Sequence, residues 1–110
     1  MISANEARAL VEASEARISE ILQLIEIEIK KKANGGKNVL LIASPDVTST
    51  VLLNFFERPM QTAFTEKQFT IVTKLRDLGF SVTIAKRIGT TVNDEFEHEE
   101  FTEYVPQIVW

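Results

Sequence analysis

Apolar residues recur at helical spacing through residues 3–32. Taking about 100° per residue, Ala4, Ala7, Val11, Ser14, Ile18, Ile21, Leu22, Ile25 and Ile29 share one stripe. That stripe predicts a long helix facing a core. Leu24 and Ile27 lie on the opposite side. Either a later segment folds over them, or they form a second interface with another copy or a partner, since a lone domain rarely leaves such residues exposed together. Ser3 and Glu6 have capping-box spacing, and Asn34-Gly35-Gly36 supplies the stop. Glu26–Lys30 and Glu28–Lys32 are favourable i,i+4 pairs, and Lys30, Lys31 and Lys32 suit a helix C-terminus.

The run over 39–43 is continuously apolar and reads as a buried central strand. Ser44-Pro45-Asp46 then looks like an N-cap with proline at the first helical position, predicting a short helix over 45–56 closed by Arg58-Pro59. Against it, residues 48–53 also favour strand. Thr65 and Gln68 make a second capping box. Phe64, Ile71, Val72, Leu75 and Leu78 share one face, so 65–78 is an amphipathic helix, stopped by Gly79 with Phe80 folding back. Residues 81–88 alternate as a strand with one wet face, and Gly89-Thr90 is a turn signal. Residues 92–103 read as an acidic loop. Residues 104–110 read as a strand in which Pro106 requires an edge or a bulge, with Trp110 buried to pin the end. The fold class is α/β or α+β: two helices on one face of a small, mostly antiparallel sheet of three or four strands. The path from 39–43 through 65–78 to 81–88 suits a parallel crossover.

Composition narrows the chemistry. At 110 residues the chain is one domain, with an ordinary 45 % hydrophobic and 25 % charged content. A net charge of −4 argues against nucleic acid and anionic membranes as partners. The charge is uneven: Asp94, Glu95, Glu97, Glu99, Glu100 and Glu103 cluster together, and the remainder holds ten acids against twelve bases. The absence of cysteine excludes disulfides, thiolate metal sites and cysteine catalysis. The first residues lack a signal-peptide pattern and no apolar run is long enough to span a membrane, so the expectation is a cytoplasmic or virion protein.

Three stretches together carry a resemblance. The first helix opens SerAlaAsnGluAlaArgAlaLeu and runs into AsnGlyGlyLysAsnVal, a later helix ends LysLeuArgAspLeuGlyPheSerVal, and the sequence closes on IleValTrp. This pattern resembles a widespread group of small bacteriophage proteins. The resemblance implies phage origin and an α/β fold. It supplies no catalytic residues, because the matching motifs are caps and core positions. The 44–64 segment and the acidic 92–103 stretch depart from the pattern and look like insertions.

No catalytic set and no cofactor motif is present. His98, the one histidine, sits among carboxylates, the right ligand types for a hard or mixed metal site, but the spacing fits no calcium loop. There is no nucleophile elbow. The leading expectation is a non-enzymatic phage protein that works by assembly with itself or with other phage or host proteins, as a virion structural or accessory component. Leu24, Ile27 and Trp110 are its candidate interface. The alternative is a protein that sequesters a small ligand such as a nucleotide signal. Ser44, Thr48, Lys86 and Arg87 would line its pocket, because a hydroxyl-rich helix start can hold an anion. A metal-dependent hydrolase using His98 with Glu95, Glu97 or Glu99 is the weakest reading.

Overall fold

The computed structural model describes residues 1–57, 63–92 and 94–110. Helix α1 spans Ala4–Asn34, strand β1 Val39–Leu41, helix α2 Thr50–Phe55, helix α3 Glu66–Asp77, strand β2 Ser81–Val92 and strand β3 His98–Val109. The fold is α+β, with three antiparallel-paired strands in the order β1-β3-β2.

The helix ends form where the side chains predict. Ser3 Oγ accepts from the Glu6 amide at 3.2 Å. At the other end Gly36 adopts φ +78°, Gly36 N–H donates to the Ala33 carbonyl and Lys37 N–H to the Lys32 carbonyl. This is the left-handed glycine stop, and it extends α1 two residues past the expected end. Thr65 and Gln68 cap α3 reciprocally, and Gly79 (φ +97°) ends it with Phe80 N–H on the Leu75 carbonyl. Gln68 has a second role. It is buried, and its Nε2 donates to the Phe55 carbonyl at 3.2 Å, tying α3 to α2.

One face of the sheet builds the core. Leu40, Ile108 and Val82 stand in register across the three strands, all buried. Ile21 and Ile25 from α1, Leu52 from α2 and Ile71, Val72 and Leu75 from α3 pack against them. β1 and β2 point the same way, as the crossover requires, but β3 lies between them, so they do not pair.

Several expectations change. The 39–43 run is an edge strand of three residues, and the closing strand is the central one. Pro106 sits inside that central strand, fully buried. It is tolerated because the β1 ladder ends there: Ile42 N–H donates to the Pro106 carbonyl at 2.9 Å, and the bond that a proline cannot return is the one past the end of β1. The short helix starts at Thr50 rather than 45. Ser49, not Ser44, is its N-cap, and residues 42–46 turn, with a cis Ser44-Pro45 bond and Val47 N–H on the Ala43 carbonyl. The proposed stop at Arg58-Pro59 lies outside the described residues. Gly89-Thr90 is no turn, and β2 runs through it to Val92. The Phe101 ring lies across Gly89, where an added Cβ would come within 2.3 Å of it, so the glycine serves close approach. Finally, 98–103 belongs to β3 and is not a loop. The ladder to β2 bonds alternate residues of its backbone, Glu99 and Glu100 are exposed, and Glu103 is half-buried beside Arg87.

Candidate protein-interaction surfaces

Two elements outrun the core. α1 is about 46 Å long at the usual rise of about 1.5 Å per residue. Its stripe meets the core only from Ile18 onward, and no residue before that is buried. Leu10 and Val11, on or beside the predicted stripe, are 63 % and 57 % exposed. β2 and β3 likewise pair for twelve residues each, but β1 covers only the last three of β3. Among the described strands the rest is a two-stranded ribbon, a form rarely stable unaided. It carries exposed Ile88, Val92, Phe96 and Phe101. The molecule measures 58 × 38 × 22 Å, with a radius of gyration of 16.9 Å. A compact chain of this length would have about 13 Å.

The residues singled out for an interface fare differently. Leu24 is half-buried and packs on the core cluster. The segment after β1 meets the C-terminal end of α1, where Asp46 pairs with Lys32 at 3.5 Å, and its Val47 is buried in the core. Trp110 is also half-buried. Its ring meets Phe80 edge-on at 6.3 Å and its backbone N–H donates to the Asn38 carbonyl, so it pins the strand end. Ile27 alone of the three is exposed, at 50 %. The larger free apolar surfaces, on the α1 arm and the ribbon, were missed as interfaces. Helix length was the available signal: the stripe from Ala4 to Ile29 runs about 38 Å, longer than the expected helix over 65–78 at about 21 Å or the expected strand over 81–88 at about 26 Å.

The candidate ligand residues do not converge. Arg87 and Ser44 share a cleft of about 430 Å³ with Glu103, Tyr104 and Phe56. Lys86 alternates to the opposite face of β2, and Thr48 is exposed and does not line this cleft. Arg87 is already engaged. Its Nε donates to Glu103 Oε2 at 2.9 Å, its Nη2 reaches the same oxygen, and its Nη1 donates to the Ser44 carbonyl at 3.4 Å. An anion entering there would compete with the Glu103 carboxylate for the guanidinium. The three lysines ending α1 are also paired: Lys30 with Glu26, Lys31 with Glu28, and Lys32 with Asp46 rather than Glu28. His98 is exposed at the start of β3 opposite Val92, and among the described residues no three acids or histidines are grouped to hold a metal.

A second concavity is apolar. Leu22, Ile25 and Ile29 of α1 face Leu75, Leu78 and Phe80 across a groove of about 470 Å³. Leu78, expected in the core, is 73 % exposed at its rim. Among the described residues no helix is long and apolar enough to cross a membrane. Comparison with known proteins finds no matching family model, no matching curated protein and no matching solved structure.

Proposed function

We propose that this protein is non-enzymatic and works by assembly, as a structural or accessory component of a bacteriophage particle, in the virion or in the host cytoplasm. The observation that carries the reading is the pair of arms. The first four turns of α1 and the outer half of the β2–β3 ribbon extend past the core that the described residues form, and both bear exposed aliphatic or aromatic side chains. Isolated surface apolar residues mean little, but projecting elements that lack a covering layer gain stability when a partner supplies one. The nucleotide-sequestering alternative has less support, because Arg87 is occupied and Lys86 and Thr48 lie elsewhere.

Light scattering on the purified protein tests the reading, alongside binding to proteins of infected cells. Masses above 12.4 kDa, or a bound partner lost when Val11→Glu and Ile88→Glu are introduced, are the expected results. A strict monomer that binds nothing, with arm variants behaving as the native chain, overturns it.

A further inference from the structure

We propose that two copies of this chain pair antiparallel through α1, the N-terminal arm of each filling the apolar groove between α1 and α3 of the other. This rests on the assembly reading and names its partner and surface.

The arm and the groove lie on one face of one helix, described along its whole length. Ala4, Val11, Ile18 and Ile25 recur every seven residues, and Leu22 and Ile29 follow four places after Ile18 and Ile25. Such a repeat keeps one stripe in line along a helix. From Ile18 on, the chain's own core covers this stripe only in part. Ile21 and Ile25 are buried, whereas Leu22 and Ile29 are half-buried and open onto the groove of about 470 Å³ beside Leu78 and Phe80. Before Ile18 no residue is buried, and Val11 is 57 % exposed. A two-fold axis between Ala16 and Arg17 lays arm on groove and groove on arm in one operation. It sets Val11 beside Leu22 of the other copy and Ala4 beside Ile29 of the other copy. The lengths agree: the arm over 4–17 runs about 21 Å and the groove-lining span over 19–30 about 18 Å. Each core is built on α1 only from Ile18 on, so the two cores sit at opposite ends of the paired helices.

Charge selects the second copy and the direction. Residues 4–20 hold four acids and two bases, and residues 21–34 hold two acids and three lysines. Antiparallel pairing therefore lays an acidic half on a basic half, twice by symmetry, and opposes the two helix dipoles. It also brings Arg8 within reach of Glu26 of the other copy, both on the same flank of the stripe at about 100° per residue. Among the described residues Arg8 has no ion-pair partner in its own chain, and Glu26 and its partner Lys30 are both largely exposed. A parallel pairing would set Lys30, Lys31 and Lys32 against their own copies. The antiparallel register has one unfavourable contact: Glu15 lies about 4.5 Å along the axis from its own copy.

The chain has no cysteine, so introduced thiols report the register. Val11→Cys and Leu22→Cys chains should form a disulfide-linked dimer when co-expressed and oxidised, and neither should do so alone. Like positions in this register lie about 16 Å apart, eleven residues at about 1.5 Å each, beyond the roughly 7 Å that a disulfide allows between Cα atoms. Sedimentation equilibrium should give twice 12.4 kDa for the native chain, with circular dichroism verifying that each variant folds. Val11→Glu, outside the core, should give a monomer. Arg8→Glu and Glu26→Arg should each weaken association about tenfold, and the two together should restore it, because the exchanged charges again face each other. Glu15→Gln should tighten it. The charge variants carry the test should Leu22→Cys unfold. A Val11→Cys chain that crosslinks alone, a folded pair that does not crosslink, or a double charge variant no tighter than either single one, overturns the pairing. If larger species persist through those changes, or a monomer binds another protein, assembly stands and this helix face is wrong. If the native chain is monomeric at every concentration and binds no other protein, both fall.

Discussion

Gln68 gives the sharpest test of how the layers are joined. In an exposed capping box, glutamate serves as well as glutamine, because either side chain accepts from the N-cap amide. Gln68→Glu should therefore be silent if capping were the whole role of the residue. The structure gives it a second one. The Oε1 accepts from Thr65 N–H at 3.0 Å, while Nε2 donates to the Phe55 carbonyl at 3.2 Å, and the residue is 2 % exposed. A glutamate keeps the first bond and loses the second, which costs about 1 kcal/mol. It also buries a carboxylate facing a carbonyl oxygen, a further cost of about 1–3 kcal/mol. The helix N-terminus returns about 0.5 kcal/mol. The expected loss is about 1.5–3.5 kcal/mol, read as a lower urea midpoint at unchanged slope. The sign with pH follows. Burial raises the introduced acid's folded pKa above its unfolded value of about 4.3. The deficit should be full near neutral pH and shrink as pH falls through that range, where a protonated acid can again donate. Native stability in Gln68→Glu at pH 7 would refute the link between α2 and α3.

Three further outcomes follow from the packing. Leu24→Glu should destabilise by about 2 kcal/mol or more and Ile27→Glu by no more than about 0.5 kcal/mol, measured by urea unfolding of the two variants, because only Leu24 packs on the core. Gly89→Ala should lower the thermal midpoint, and Phe101→Leu should recover part of the loss in the double variant, since the ring is what the new methyl meets. Ile25→Ala, at a fully buried position, should cost about 2–5 kcal/mol in the same unfolding assay.

The sequence was most legible where a local rule acts alone. The caps at Ser3 and Thr65, the glycine stops at Gly36 and Gly79, and the buried faces of α1's second half and α3 all follow from spacing and short-range hydrogen bonding. What it hid depends on partners distant in the chain. Gly89 reads as a turn until Phe101 is known to lie across it. The glutamates at 99, 100 and 103 read as loop until a twelve-residue partner strand supplies their ladder. Pro106 reads as an edge marker, and the structure places it at the centre because the neighbouring strand is short. The candidate site was less legible still. Arg87 was visible, but its commitment to Glu103 needs the register of β2 on β3, and the reach of α1 beyond the core needs the size of everything it packs on.

The central place of β3 also bears on synthesis. During translation α1, β1, α2, α3 and β2 all emerge before the strand that joins them. β1 and β2 share no ladder of their own, and the register Val39↔Val109 closes a loop of seventy residues. Until β3 inserts, the apolar faces of Leu40 and Val82 have no strand between them, and α1 and α3 have no complete sheet to cover. Sheet formation must therefore wait for the last-made strand. Such a nonlocal closure slows folding and prolongs the interval in which the half-built chain can meet another copy.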